Sequence, residues 1–237
     1  MHPHLRIALV GAALAAASWS AGAGRPLTTD DAGTAPVRSC EIESWYARAA
    51  ASHETRVSAA CGVADGFELG IELERPSPRE EVRSRAGVVA KWAPEAAQHD
   101  TALGKLALGL SATLVASRTN ADGWSASESL VAGLATLEPA EHWALHANLG
   151  VARRRASGTT GSLLALAAEW SPHESVLAFV ETIASDRRAE FGPAVRSVGG
   201  RWWLVEDRFG LDVVASREAG GHETIWSIGF GWYGIGF

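Results

Sequence analysis

The chain has one methionine, two cysteines and, after its first 19 residues, no long apolar run. A membrane-spanning helix needs roughly 18 consecutive apolar residues, so no segment of the mature chain is predicted to cross a membrane as a helix. Basic residues are few as well, and the formal net charge of −6 excludes a nucleic-acid-binding protein that acts through bulk electrostatics. The sequence has no glycine-rich phosphate loop. It is instead rich in tryptophan and in β-forming residues, which is typical of a secreted, aromatic-rich β protein.

The first 23 residues have the pattern of a secretory signal peptide. A weakly basic start ends at Arg6, an apolar run follows from Ile7 to Trp19, and residues 21–23 supply an Ala-x-Ala cleavage site. The apolar run is too short to span a membrane as an anchor. We therefore predict a signal peptide over residues 1–23, an extended periplasmic lead-in over 24–38 and a barrel over 39–237. Removal of the signal peptide takes away one Arg and no acid, so the net charge changes from −6 to −7.

From Ser39 onward the sequence divides into β segments separated by turn residues. In the third segment, Phe67, Leu69 and Ile71 share one face, and glutamates occupy the other face. Apolar-out, polar-in alternation over an even number of strands indicates an all-β fold, an antiparallel up-and-down transmembrane β-barrel of the bacterial outer membrane. A secreted β-sandwich would alternate as well, but the Gly, Ala, Ser and isolated charges of the polar face favour a lumen. We predict about twelve strands, with ten or fourteen also compatible, over residues 39–49, 54–63, 66–75, 84–93, 103–116, 123–137, 142–153, 160–171, 174–184, 192–205, 208–217 and 224–237.

The last stretch, Glu223 to Phe237, is rich in glycine and aromatic residues and contains no proline. A terminal strand of this kind is an exposed, sticky edge, and a closed barrel removes that edge by pairing the last strand with the first. The stretch resembles the C-terminal signal strand of bacterial outer-membrane β-barrels, which ends in Phe. This resemblance implies that Phe237 is an assembly signal and that the barrel assembly machinery of the outer membrane is a partner.

The predicted start of the mature chain carries a second resemblance. Residues 25–34, Arg-Pro-Leu-Thr-Thr-Asp-Asp-Ala-Gly-Thr, are similar to the mature start of an outer-membrane family named for the meta pathway of phenol degradation. Together with the signal peptide and the terminal Phe, the resemblance covers the whole chain. It implies an outer-membrane barrel of about twelve strands with a transport role, and it carries over no catalytic residue.

Tryptophan and arginine are distributed unevenly along the predicted strands. Two aromatic girdles are expected at the membrane interfaces, with Trp92, Trp143, Trp170, Trp202 and Trp203 toward periplasmic strand ends and Trp124 and Trp226 toward outer ends. Arginines in the predicted outer connections could bind phosphates of lipopolysaccharide, or they could be ordinary solvated loop charges. These arginines are Arg79, Arg83, Arg118, Arg153, Arg154, Arg155, Arg187, Arg188 and Arg217.

Turn positions predict the register of the first hairpin. A turn at Ala50-Ala51 places Cys40 opposite Cys61, within the distance range of a disulfide. A secreted chain meets an oxidising compartment, so we predict that these two residues form a disulfide.

A turn between the third and fourth segments places Glu68 opposite Lys91, Glu72 opposite Gly87 and Glu74 opposite Arg85. One register thus points every charge inward, which a slip of one residue would reverse. Glu72 is left without a partner in its hairpin and would take one from Lys105 or Arg196. The predicted lumen-lining residues are Glu68, Glu72, Glu74, Arg85, Lys91, Lys105, His146, Glu169, Glu181 and Arg196.

His146 is the histidine of the mature chain that is predicted to lie within a strand. It has no Gly-x-Ser-x-Gly elbow or other nucleophile context, and a turn near Ser157-Gly158 places it opposite Glu169 as a structural pair. His142 shares its face but lies about 13 Å away at about 3.3 Å per residue, so the two cannot bind one metal. We predict no catalytic residue, no metal site and no cofactor.

The sequence favours a narrow pore or transporter for small solutes rather than an enzyme. The alternatives are a structural barrel with a filled lumen and, with less support, an outer-membrane enzyme that modifies lipid. Such an enzyme should hold a Ser or Thr beside His146 at an outer rim. A filled barrel should show paired lumen charges and no continuous path. The expected partners are outer-membrane lipid, lipopolysaccharide and a small solute, and no nucleic acid.

Overall fold

The structure is a computed structural model that describes residues 27–78, 82–121, 123–185 and 194–237. The predicted signal peptide lies outside these residues. Within them the regular structure is almost entirely β, apart from a short 3-10 turn at Glu95–Ala97. No helix in the described ranges is long and apolar enough to cross a membrane.

The described residues form thirteen strands, of which twelve make a barrel wall. β5 is a short, fully exposed strand that pairs with the beginning of β6 and lies outside the wall. The strands are β1 (Ser39–Arg48), β2 (His53–Ala64), β3 (Phe67–Ser77), β4 (Val82–Trp92), β5 (Gln98–Thr101), β6 (Gly104–Thr119), β7 (Trp124–Ala140), β8 (Trp143–Arg154), β9 (Thr160–His173), β10 (Val176–Ser185), β11 (Val195–Val205), β12 (Phe209–Glu218) and β13 (Thr224–Gly236).

The barrel is closed because β1 pairs with β13 and β4 pairs with β6, while all other wall strands pair with their neighbours in the chain. All of these pairings are antiparallel. Closure leaves no free edge on the described strands of the wall, so the terminal strand is paired on both sides and its edge is not exposed to aggregation. The predicted twelve-stranded antiparallel barrel is confirmed, with wall strands that begin and end within a few residues of the expected positions.

The outer face of the wall is apolar. Along β8, Leu149 and Val151 are exposed, whereas the alternate residues His146 and Asn148 are buried. The apolar stretch from Trp143 to Val151 is about 26 Å long at about 3.3 Å per residue, or about 20 Å along the membrane normal at a tilt of about 40°. A continuous apolar band of this height is larger than the apolar patches on the surface of soluble proteins. It is typical of the lipid-facing wall of an outer-membrane barrel. The protein is therefore located in the bacterial outer membrane, as predicted.

The two ends of the barrel differ in their connections. The start of β1 and the end of β13 lie at one end, here called the proximal end, together with short turns such as Asp65-Gly66 and His142. Apart from the connection between β4 and β6, which contains β5, the proximal connections have two or three residues, and those at the opposite, distal end are longer. Outer-membrane barrels have short periplasmic turns and longer extracellular loops, so the proximal end faces the periplasm.

Two hairpin registers agree with the sequence analysis. Cys40 lies opposite Cys61, and the predicted disulfide between them is confirmed. Glu68 lies opposite Lys91, and Glu74 lies opposite Arg85, as expected from the turn position. Both hairpins have few connecting residues, so that little freedom remains in their register.

The register of β8 and β9 differs from the expectation. His146 lies opposite Ala167 rather than Glu169, and Glu169 lies opposite Ala144. The backbone bond from Arg154 to Thr159 centres the turn one residue earlier than predicted, which moves the pairing by two residues. An even shift keeps every side chain on its face, so His146 and Glu169 both still point into the lumen.

Candidate functional site

Residues 27–35, here called the lumen segment, lie inside the barrel. Leu27, Thr29, Asp30 and Ala32 are all buried, and Leu27 packs in one apolar cluster with residues of β9, β10 and β12. From the sequence we expected a periplasmic lead-in over residues 24–38. In the structure, the chain turns inward from the start of β1, so that this part of the lead-in occupies the proximal half of the lumen.

One side of the lumen binds the segment through polar side chains of three strands. Glu181 on β10 accepts hydrogen bonds from the backbone amides of Thr28 (2.8 Å) and Thr29 and from the Thr29 hydroxyl (2.6 Å). Asn148 on β8 exchanges two bonds of 2.7 Å with the backbone of Asp30. The amide of Ala32 donates to the Thr136 hydroxyl on β7 at 2.8 Å. These contacts satisfy the buried backbone groups of a segment that has no regular secondary structure.

The opposite side of the lumen binds the segment through charge. The Lys91 ammonium on β4 donates to a carboxyl oxygen of Asp30 and to a carboxylate oxygen of Asp31, each at 2.7 Å. The Glu68 carboxylate on β3 accepts the amide of Ala35 at 2.7 Å. The lumen segment therefore bridges β3 and β4 to β7, β8 and β10, and it crosses the interior of the barrel.

The two aspartates of the segment have different protonation behaviour. Burial raises the pKa of Asp30 to about 8, with Asp31 and Glu68 adding to the rise and Lys91 opposing it. Asp30 Oδ2 is buried without a hydrogen-bond partner among the described atoms, which fits a carboxyl that retains its proton. The Lys91 ammonium lowers the pKa of Asp31 to about 2, and this side chain is 55% exposed.

A second group of charges fills the distal half of the lumen. Arg56 on β2 is almost completely buried and contacts Glu74 at 2.6 Å, Glu72 at 3.1 Å and Glu54 at 3.6 Å. Glu74 also binds Arg85 at 2.6 Å. The partner of Glu72 is thus Arg56, from the adjacent hairpin, rather than Lys105 or Arg196.

A third group lies where the barrel closes. Arg201 on β11 binds Asp212 on β12 through two parallel hydrogen bonds of 2.7 and 3.0 Å and stacks on Trp203 and Tyr233. The Tyr233 hydroxyl donates to Glu43 on β1. Trp203 therefore faces the lumen, whereas Trp92, Trp143, Trp170 and Trp202 are exposed on the outer face as the girdle prediction requires.

His146 lies in the lumen and contacts groups of both hydroxyl and carboxylate type. Its Nδ1 is 3.0 Å from the Thr136 hydroxyl, and its Nε2 is 3.6 Å from Glu169. The Thr136 hydroxyl accepts a hydrogen bond from the Ala32 amide, so the hydroxyl proton of Thr136 is available to His146 Nδ1. Glu169, His146 and Thr136 therefore form a chain of polar contacts that ends on the lumen segment. The hydroxyl expected of a lipid-modifying enzyme is present, but it lies inside the barrel and not at an outer rim.

Two predicted lumen residues lie elsewhere. Lys105 is exposed at the proximal mouth, beside a cavity of about 550 Å³ that is also lined by Glu138, His142 and Glu169. Arg196 lies on the outer face, in register with the exposed Val198, so it does not line the lumen. The remaining predicted residues, including Glu181, face the interior. Among the residues that the structure describes, no group of three or more His, Cys, Asp or Glu side chains could hold a metal.

Several lumen residues were not found from the sequence. Arg56, Arg201 and Asp212 lie on the polar side of alternating strands, which indicated that they point inward but not which residues they contact. The Thr-Thr-Asp-Asp run of the lumen segment was seen only as part of a family resemblance. Its polar, non-periodic character gave no indication that it folds back into the barrel.

Comparison with known proteins assigns the chain to a family. The family model described as "Uncharacterised conserved protein UCP029691" matches residues 9–232, which is most of the chain. The chain belongs to this family. The outer-membrane barrel implied by the predicted resemblance is supported, but the meta-pathway family name is not. No curated protein sequence matches the chain.

Solved structures with a similar fold are outer-membrane porins. The KdgM porin aligns with a TM-score of 0.60 at 12% identity, over 81% of this chain and 98% of that one. A KdgM porin in complex with disordered oligogalacturonate has a TM-score of 0.59 at 10% identity, and the NanC porin has a TM-score of 0.59 at 8% identity, each with the same coverage. At such identities the likeness establishes the fold of the UCP029691 family member, a porin-like barrel.

Proposed function

We propose that this protein is an outer-membrane channel for small solutes, closed in the described conformation by its own lumen segment. The observation that carries the proposal is the segment itself, which crosses a polar lumen and is bound there by Lys91 and Glu68 on one side and by Glu181, Asn148 and Thr136 on the other. A purely structural barrel needs no such removable element.

The way in which the segment is held supports reversible opening. Its polar contacts run from its backbone, the Thr29 hydroxyl and two aspartates to side chains of the wall, and Leu27 adds an apolar contact. Its residues add no rung to the ladder between wall strands. Withdrawal of residues 27–35 would therefore break side-chain contacts and leave the wall hydrogen bonds intact. A twelve-stranded wall also encloses more space than the eight-stranded barrels that side chains alone fill.

The charge of the lumen favours a cationic or neutral solute. Once the segment is withdrawn, the lumen-facing acids of the described strands outnumber the bases. The acids are Glu41, Glu43, Glu54, Glu68, Glu72, Glu74, Glu128, Glu169, Glu181, Asp212 and Glu218, and the bases are Arg56, Arg85, Lys91, Arg154 and Arg201. One KdgM porin structure contains oligogalacturonate, an anionic oligosaccharide. The acidic surplus here disfavours an anion of that kind and raises the local concentration of cations.

The test is single-channel recording of the refolded mature chain in planar bilayers. We expect rare, small steps from the wild type, and frequent, larger, cation-selective steps when residues 27–35 are replaced by a Gly/Ser sequence of the same length. Replacement of the exposed distal turn at residues 155–159 by Gly and Ser serves as the matched control and should leave conductance unchanged. Heat-modifiable migration on gels verifies that each variant is folded.

The alternative is a structural barrel whose lumen is permanently filled. The paired charges around Arg56 and Arg201 favour it, because they occupy the distal half and the closure seam independently of the lumen segment. If the folded Gly/Ser variant gives no conductance steps, the filled barrel is the correct description and the channel is refuted.

A further inference from the structure

Six arginines surround the distal end of the barrel on its lipid-facing side. They lie at or within two residues of a distal strand end, and each shares the outer face with an exposed apolar residue, as Arg153 does with Val151 and Arg196 with Val198. This set, here called the arginine belt, consists of Arg48, Arg75, Arg118, Arg153, Arg196 and Arg217, all of them exposed.

The belt is different from the loop arginines recognised in the sequence. Arg154 turns into the lumen toward Glu128, Arg83 bonds to Asn120, and Arg79, Arg187 and Arg188 lie outside the described residues. Arg48, Arg75 and Arg196 were not counted among the loop arginines, because only the strand register shows that they face outward. The proximal end has no matching outward belt on the described strands, where tryptophans occupy the corresponding positions.

Within the part of the chain that the structure describes, the guanidinium groups of the belt lack carboxylate partners. No carboxylate in the described ranges forms an ion pair with any of the six. Arg196 and Arg217 lie directly opposite each other on β11 and β12, an arrangement of like charges that destabilises a sheet unless an anion lies between them. Among the described residues, Arg217 donates to two neutral oxygens, the carbonyl of His222 at 3.2 Å and the Thr224 hydroxyl at 3.4 Å.

The depth of the belt defines the anion that would meet it. Arg118 lies opposite Trp124 and Arg48 opposite Trp226, and these exposed tryptophans mark the distal membrane interface. The belt is thus located where the apolar band ends and lipid headgroups begin. Guanidinium groups bind phosphate through paired hydrogen bonds better than ammonium groups do, and every basic residue of the chain other than Lys91 and Lys105 is an arginine.

We propose that the arginine belt binds the phosphate groups of lipopolysaccharide in the outer leaflet. This interaction is separate from the channel proposal, since the belt lies on the other side of the wall from the lumen. The facing pair Arg196 and Arg217 forms its strongest subsite, in which one phosphate bridges the two guanidinium groups.

The test measures binding of lipid A, the phosphorylated anchor of lipopolysaccharide, to the refolded mature chain by native mass spectrometry in detergent. We expect the double variant Arg196→Gln/Arg217→Gln to raise the apparent Kd for lipid A at least about tenfold, and the corresponding Lys variants to lie between it and the wild type. Arg208→Gln, in an exposed proximal turn, is the control and should bind like the wild type. Gel migration of unheated samples identifies variants that have not folded.

Three results would overturn the proposal. Unchanged lipid A binding after replacement of all six belt arginines by Gln would show that the belt is ordinary solvated charge. Equal binding of dephosphorylated lipid A would show that acyl chains rather than phosphates are recognised. Equal binding of phosphatidylglycerol would show a general attraction to anionic lipid instead of a lipopolysaccharide site.

Discussion

Replacement of Lys91 by Met should release the lumen segment. Lys91 donates to the buried Asp30 and to the half-exposed Asp31, both at 2.7 Å. Because Asp30 retains its proton, the first contact is a charge-assisted hydrogen bond, whose loss costs about 1.5–3 kcal/mol, and the exposed ion pair with Asp31 adds at most about 1 kcal/mol. The total cost is therefore about 3 kcal/mol. Since about 1.4 kcal/mol is a factor of ten, the withdrawn population should increase about 100-fold.

The assay uses the burial of Ala32, which is 4% exposed inside the barrel. In an Ala32→Cys background, a maleimide reacts only while the segment is withdrawn, so the labelling rate reports the withdrawn population. Ser157→Cys, in an exposed distal turn, gives the reference rate for an unprotected thiol. We expect labelling at position 32 to accelerate by up to about 100-fold in Lys91→Met and much less in Lys91→Arg, which retains the charge.

Arg201→Met separates release of the segment from general loosening of the barrel. Arg201 is a buried cation of similar importance, but its ion-pair partners, Asp212 and Glu43, belong to wall strands. The substitution Arg201→Met should therefore destabilise the wall and leave the rate of maleimide labelling at position 32 nearly unchanged. The reasoning is refuted if Lys91→Met labels no faster than the wild type, or if Arg201→Met accelerates labelling equally.

Three further predictions concern the pH response, the lumen charge and assembly. Because burial raises the pKa of Asp30 to about 8 in the docked segment against 3.8 when free, docking should weaken as pH rises from about 4 to about 8. The conductance of the wild type should therefore increase over that pH range, whereas the conductance of Asp30→Asn should not change with pH. A wild type with no pH response would contradict this prediction. The lowered pKa of Asp31 affects docking only below about pH 4. Glu72→Gln in the channel freed of its segment should reduce cation selectivity, measured as a smaller reversal potential in a salt gradient, and an unchanged potential would show that the conducting path avoids Glu72. Deletion of Phe237 should sharply lower the yield of heat-modifiable barrel in cells, while normal yield would argue against its role as an assembly signal.

Strand number, sidedness and two hairpin registers were determined by the sequence alone. Period-two alternation shows which residues of a strand share a face. Because the outside of the barrel meets lipid and the lumen is polar, only the apolar face can point outward. Short connections between β1 and β2 and between β3 and β4 then leave one register that places Cys40 beside Cys61 and Glu68 beside Lys91. Local information was sufficient here because the partners are close in the chain.

Irregular pairing between strands prevented the prediction of other opposite residues from the sequence. The turn Asp65-Gly66 by itself would place Arg56 opposite Arg75, but a bulge between Gly62 and Ala64 moves the register by one residue and places Arg56 opposite Glu74. A bulge changes the count of residues without changing their chemistry, so the sequence does not mark it. The Arg56 cluster was therefore visible only in the structure.

The tertiary structure alone decided what occupies the lumen and what surrounds the wall. Asp30 meets Asn148 and Lys91 across 118 and 61 residues of chain, and no periodic pattern connects a segment without secondary structure to strands so distant. The belt likewise gathers arginines from six strands onto one rim, and Arg48, Arg75 and Arg196 were assigned to that rim only by the structure. Sequence patterning specified the wall because the wall is built from repeated local pairings, whereas the interior and the rim depend on which strands closure of the barrel brings together.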